Sequence, residues 1–166
     1  MKQDETVVPE SPEPRWLHDV ERDAWLSLIG VIIRLPASLD AQLQRDAGLS
    51  HFEYIVMVNL SNADGHVLRM SQLAALCHSS LSRLSHVVAR LERRNWLRRD
   101  PCPDDGRATL ATLTDEGFAK LASAAPGHVD AVREYVIDAL DPEQLRQLTA
   151  IGETILGRLD GDTPRR

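Results

Sequence analysis

The chain has 166 residues, with 43% hydrophobic and 27% charged composition and 19 basic against 25 acidic side chains, a formal net charge of −6. That length suits one domain with an arm and a core that needs no staples, and the composition excludes a wholly disordered or collagen-like chain. Two cysteines, Cys77 and Cys102, make neither a disulfide framework nor a metal-type pair, so the expectation is a reduced cytoplasmic protein. The longest stretch without a charge, Met70 to Ser82, contains Ser, Gln and His and does not suit a transmembrane helix. Behind Met1-Lys2-Gln3-Asp4-Glu5 there is no apolar segment, so no secretory signal is predicted.

Residues 1–14 hold Pro9, Pro12, Pro14 and four acids, which predicts a disordered arm. From Trp16 to about Asp46, apolar residues recur at three- and four-residue steps (Ala24, Leu28, Ile32, Leu35, Leu39, Leu43), a helical pattern that Pro36 should kink or split. Gly48 closes it. Ser50, with Glu53 three residues on, forms a capping box for a helix carrying Phe52, Ile55, Val56 and Leu60. Ser71 is the expected cap of a short helix from Gln72 to about His78. Ser79 or Ser80 caps a longer one ending near Asn95 and Trp96, and the close succession is a helix-turn-helix candidate. Leu97-Arg98-Arg99 and Thr109 to Leu113 read as strands around a turn-rich tip, Pro101 to Gly106. Thr114 with Asp115 and Glu116 starts a helix expected to be disturbed at Pro126-Gly127. Asp141-Pro142-Glu143-Gln144 starts the last one, with Leu145, Leu148, Ile155 and Leu159 on its stripe.

The charge is segregated. Between Arg83 and Arg107 seven arginines face four acids, a local +3, while the remainder of the chain carries −9. On a wheel of residues 79–94, Leu81, Leu84, Val88 and Leu91 form one face. Ser79, Arg83, His86, Arg90 and Arg93 lie opposite, with Ser82 at the edge and Ser80 at the cap. Short polar residues near the N-terminal end followed by arginines suit a helix that reads base edges and grips phosphates in a major groove. An ordinary solvated face has the same composition. Arg107, just past the Asp104-Asp105-Gly106 tip, suits the negative potential of a minor groove, or a local pair with Asp104 or Asp105.

Three segments carry a resemblance. Ser80-Leu81-Ser82-Arg83-Leu84, Leu91-Glu92-Arg93-Arg94 and above all Asp105-Gly106-Arg107-Ala108-Thr109-Leu110-Ala111-Thr112-Leu113-Thr114-Asp115-Glu116-Gly117 resemble the MarR family of bacterial transcription regulators. The likeness in helix order covers about residues 16–160. It implies a mainly α fold with a small β wing, a winged helix-turn-helix of about six helices, dimerised through N- and C-terminal helices. In such proteins the recognition helix enters a major groove, the wing enters the flanking minor groove, and a small aromatic or phenolic ligand often releases the DNA. Arg107 matches the wing arginine and Asp105 its accompanying acid. Gly106 stands where many members have a second arginine, which implies a weaker grip. The DNA-binding set is therefore Ser79, Ser80, Ser82, Arg83, His86, Arg90, Arg93, Asp105 and Arg107, with Arg90 and Arg93 as phosphate contacts. The implied division is a 1–14 arm, a 15–46 dimerisation helix, a 47–113 DNA-binding region, 114–160 dimerisation helices and a 161–166 tail.

The apolar stripes of both terminal segments independently favour a homodimer and hence a palindromic double-stranded operator. A larger monomeric bundle is the alternative. Trp16, Trp25 and Tyr54 are candidates for an aromatic ligand pocket, or for plain core packing, and His51 for a donor to an anionic ligand. Cys77 should be packed and inert. Cys102, flanked by prolines on the wing, is expected to be exposed, which leaves a redox switch as an alternative. Six histidines show no metal-ligand spacing. With no phosphate-cradling glycine loop and no Gly-x-Ser-x-Gly elbow, no enzyme is expected, and no cofactor. The reading is a cytoplasmic, membrane-independent homodimeric regulator, a repressor released by a small-molecule effector. The alternatives are redox control through Cys102 and a winged-helix module for protein contact.

Overall fold

A computed structural model describes residues 13–161. The expected arm falls almost wholly on residues 1–12, and the tail beyond residue 161, outside the described residues. The chain divides into two units, one up to Arg34 and one from Leu35 onward.

In the first unit, α1 (Asp19–Ala47) begins later than Trp16, after an extended lead-in. His18 marks the start: its backbone N–H donates to Glu21 Oε2 at 3.1 Å, and Asp19 pairs with Arg22 at 2.9 Å. Trp16, Val20, Trp25, Leu26, Val31, Ile32 and Ile33 are exposed. The helix is not broken at Pro36. Proline removes one N–H, and its partner carbonyl would belong to Ile32. Both residues are exposed, so water can take up that carbonyl and the remaining turns hold. By length and composition alone α1 is apolar enough to cross a membrane, which a search for charge-free runs does not reveal.

In the second unit, α1 ends at Ala47, and Gly48 (φ +64°) turns the chain. The Ser50 capping box forms as expected. Glu53 N–H donates to Ser50 Oγ at 3.1 Å, and Ser50 N–H to Glu53 Oε2 at 2.8 Å, opening α2 (His51–Ser61). A short 3-10 turn, Asp64–His66, leads into β1 (Val67–Arg69), which sequence reading missed. Three residues are too few to show a period of two. Because β1 runs straight into α3 (Met70–Leu76), the cap is Arg69, not Ser71; its N–H donates to Gln72 Oε1 at 3.2 Å. His78 (φ 45°) makes the tight turn, and Ser80 caps α4 (Leu81–Arg93), accepting from the Arg83 N–H at 3.2 Å.

β2 (Leu97–Cys102) and β3 (Asp105–Leu113) reach further out than expected. Cys102 lies opposite Asp105, which leaves only Pro103 and Asp104 at the tip. A register irregularity at Pro101/Cys102 accommodates the missing proline N–H. The antiparallel order is β1-β3-β2. Thr114 caps α5 (Asp115–Val132), accepting from Gly117 N–H at 3.0 Å. The expected disturbance at Pro126-Gly127 does not occur there, because Pro126 is exposed and the helix runs through it. The irregularity comes instead at a π-helical stretch, Arg133–Ile137, bridged by Arg133 and Asp138 at 2.6 Å. Asp141 Oδ1 accepts from the N–H groups of Glu143 and Gln144, both at 2.8 Å, to start α6 (Pro142–Gly161).

The core is one cluster in which Leu43, Leu49, Val56, Met57, Leu60, Leu73, Leu84, Val88 and Leu91 are fully buried. It draws on α1 to α5 and the sheet. No residue of α6 is buried, and Leu148, Ile151, Ile155, Leu156 and Leu159 lie exposed along it. At about 25 cal/mol per Å² of apolar surface, covering such a stripe would be a large gain.

Candidate nucleic-acid interface

Helix α4 is held by its apolar face, where Leu84, Val87, Val88 and Leu91 are buried. Val87 joins the face, whereas Leu81, assigned to it by the wheel, is 51% exposed. At the first position of the helix no preceding turn shields a side chain. The opposite face presents Ser82, Arg83, His86, Arg90 and Arg93 outward.

The seven arginines of this region separate by partner. Arg98 pairs with Asp100 at 2.6 Å, and Arg99 with Glu92 at 2.6 Å. Arg94 donates to Gly48 O at 2.9 Å and lies 5.0 Å from the Trp96 ring centroid. Arg90 Nε donates to Glu53 Oε1 at 3.1 Å. Glu53 is buried, and burial by itself would raise its pKa. The bonds from Ser50 and Arg90 outweigh that and hold it below the usual carboxylate value. Arg90 therefore ties α4 to the cap of α2, and its guanidinium is already engaged. Arg83 stacks its guanidinium 4.5 Å from the centroid of Phe52, a cation–π contact that keeps its charge unneutralised. Arg93 and Arg107 have no ion-pair partner among the described residues.

Two grooves flank α4. The larger, about 560 Å³, is lined by Ser80, Ser82, Arg83, His86, Phe52 and Asp40, among others. Five predicted contact residues thus share one concavity: Ser80, Ser82, Arg83, His86 and Arg90. The second groove, about 320 Å³, lies between α4 and the wing. Asp105 and Arg107 line it with Arg69, Ser71, Leu81 and Ser85. Asp105 Oδ1 accepts from the backbone N–H of Arg107 at 3.1 Å, so the acid shapes the turn and leaves the guanidinium unpaired. Ser79 lies outside both groups of lining residues, and its hydroxyl donates to Ser80 O at 3.3 Å. Arg69, Phe52 and Leu81 were not singled out as site residues. Arg69 depends on the missed strand, and Phe52 looks like any core aromatic. Leu81 had a signal in its position at the start of the helix.

His51 and Tyr54 come together with His128, which sequence reading did not select. The His128 ring lies 4.4 Å from Tyr54 and 5.6 Å from His51. Burial lowers the pKa of both histidines. His51 adds to the effect on His128, while Asp40 partly offsets it on His51. Among the described residues the buried atoms His128 Nδ1 and Gln42 Oε1 lack partners, and Gln42 Nε2 lies near Gly127, next to His128. Trp25 belongs to the first unit and is 51% exposed. Cys102, expected to be exposed, is buried, because it forms the last β2 pair. No group of three potential metal ligands occurs among the described residues.

Comparison with known proteins accords with this geometry. The family model for the MarR family matches residues 47–108, from the end of α1 to the wing. The solved structure of Sco3205, a MarR family transcriptional regulator from Streptomyces coelicolor in complex with DNA, is 47% identical. Its TM-score is 0.84, over 88% of this chain and 91% of that one. AbsC, a MarR family transcriptional regulator from the same organism, is 40% identical with a TM-score of 0.85, over 90% of this chain and all of that one. The transcriptional repressor MprA of Escherichia coli is 25% identical over 113 residues, and the chain spans 64% of its length. A winged helix-turn-helix of this kind, with these identities over nearly the whole of two solved regulators, makes the chain a member of the MarR family of transcriptional regulators.

Proposed function

We propose that the chain is a sequence-specific DNA-binding repressor that works as a cytoplasmic homodimer on a palindromic operator and is released by a small aromatic or phenolic ligand. The observation that carries the reading is the unpaired arginine Arg107 on the wing beside an outward α4 face bearing Ser82, Arg83 and His86. Arginines paired with carboxylates offer less to a polyanion, and the unpaired ones on α4 and the wing support contact with DNA in both grooves. Ser82, Arg83 and His86 take the base-edge role and Ser79, Ser80 and Arg93 the backbone role. Arg107 takes the minor groove, with Asp105 shaping its turn. Arg90 contributes mainly by bracing α4 on Glu53.

Dimerisation is supported within each unit by its own exposed apolar residues: Val20 to Ile33 on α1, and Leu148 to Leu156 on α6. Residues 15–46 and 114–160 take that role, and 47–113 the DNA-binding one. Ligand response is supported by the buried His128 Nδ1, which has no partner among the described residues, beside Tyr54 and His51. Redox control through Cys102 loses its premise with the burial of that thiol. The test is binding to the intergenic DNA upstream of the protein's own gene, at two salt concentrations, for wild type and Arg107→Ala. Salt-sensitive binding that weakens markedly in the variant supports the reading. A folded dimer that binds no genomic fragment at low salt overturns it in favour of a protein-contact module.

A further inference from the structure

Leu81 is an anomaly of the recognition helix. Every other leucine and valine of α4 is buried, yet Leu81 is 51% exposed at the first turn. It lines the α4–wing groove with Arg69, Arg99 and Arg107, so an apolar side chain stands among guanidinium-bearing residues. Those residues suit a polyanion. Of them Arg99 is paired with Glu92, while Arg69 and Arg107 have no ion-pair partner among the described residues. The neighbouring hydroxyl residues Ser71 and Ser85 complete a polar rim. First-turn residues of such a helix approach base edges most closely. The major groove offers one apolar group, the C5-methyl of thymine.

We infer that Leu81 is a specificity-determining residue that packs against a thymine methyl in each half-site. This rests on the DNA-binding reading above and deepens it. Ser82 and Arg83 select by hydrogen bonding, whereas Leu81 selects by excluding water from a methyl. A cytosine at that position offers no methyl, and its amino group would be desolvated against the leucine. Burying one methyl changes affinity about four-fold per half-site.

The experiment selects binding sequences from a random duplex pool. It then replaces each thymine of the enriched site, one symmetric pair at a time, with deoxyuridine, which lacks only the methyl. Wild type and Leu81→Ala are titrated against each duplex, with circular dichroism and sedimentation confirming fold and assembly of the variant. The expected result is one symmetric thymine pair at which methyl loss weakens wild type by roughly an order of magnitude. Leu81→Ala should bind the thymine and deoxyuridine duplexes alike there and keep wild-type sensitivity elsewhere. Sequence enrichment without any methyl-sensitive pair, or with equal sensitivity in Leu81→Ala, overturns the role of Leu81 and leaves the DNA-binding reading standing. Failure to enrich any sequence overturns that reading, and this inference with it.

Discussion

Replacing Gly117 with alanine should loosen the wing from the body of the protein. A Cβ built on Gly117 meets Leu113 Cδ1 at 2.8 Å and the Trp96 carbonyl carbon at 2.9 Å, with the Trp96 oxygen nearer still. Leu113 can turn, but the carbonyl is backbone, and it accepts the Thr114 N–H at 3.1 Å. Beside it, Thr114 Oγ1 donates to Asn95 O at 2.6 Å. Ordinary contact requires these groups to part by several tenths of an ångström to an ångström, which sacrifices both bonds. At about 1 kcal/mol each, plus about 1–3 kcal/mol for overpacking, Gly117→Ala should cost about 3–5 kcal/mol. Urea unfolding followed by circular dichroism measures this as a lower midpoint at unchanged slope. Since Trp96 leads into β2 and Thr114 follows β3, operator affinity should fall as well, through displacement of Arg107. A loss of less than about 1 kcal/mol would refute the reasoning, for it would mean that the α4–β2 turn yields freely.

Glu53→Gln keeps the volume but removes the charge that Arg90 and Ser50 bind, and should cost about 1–3 kcal/mol by the same unfolding assay. Glu53 has a lowered pKa in the folded state, so its contribution is present above the usual carboxylate range and lost as pH falls through it. Burial likewise lowers the folded pKa of His51 and His128, so the folded state takes up fewer protons than the unfolded chain. Stability should therefore decline as pH drops below the ordinary histidine value of 6.5, and His128→Gln should flatten that dependence in unfolding curves between pH 8 and 5.5. Arg93→Ala should lower the slope of log affinity against log salt by roughly 2 for a dimer, if each copy loses one phosphate contact. An unchanged slope would remove Arg93 from the backbone contacts.

Local chemistry was legible wherever one short segment carried the whole signal. The Ser50–Glu53 box, the Thr114 and Asp141 starts, the amphipathic α4 and the wing motif each depend on residues within a few positions of one another. The box and the two helix starts form as the sequence predicts, whereas α4 leaves Leu81 exposed and the wing strands run further out than expected. Where a feature depends on partners distant in the chain, sequence reading failed in identifiable ways. β1 exists because Val67, Leu68 and Arg69 pair with Thr112, Ala111 and Leu110, and three residues cannot announce that themselves. The same pairing moved the α3 cap from Ser71 to Arg69. Pro36 and Pro126 break no helix, because each is exposed and the carbonyl it releases can be hydrated, a matter of burial rather than propensity.

The family signature, and with it the fold, was settled by the sequence alone, since spacing along the chain is all that such a motif requires. Which arginines remain free was a tertiary decision. The sequence placed Arg83, Arg90, Arg93 and Arg107 in the DNA-binding set without showing which were already engaged; packing gave Arg90 to Glu53, Arg94 to Gly48, Arg98 to Asp100 and Arg99 to Glu92. Arg107 stayed unpaired because its acidic neighbour binds its backbone instead. The exposure of Leu81 was hinted at by its place at the start of α4, but its position in the groove beside the wing required the packed structure.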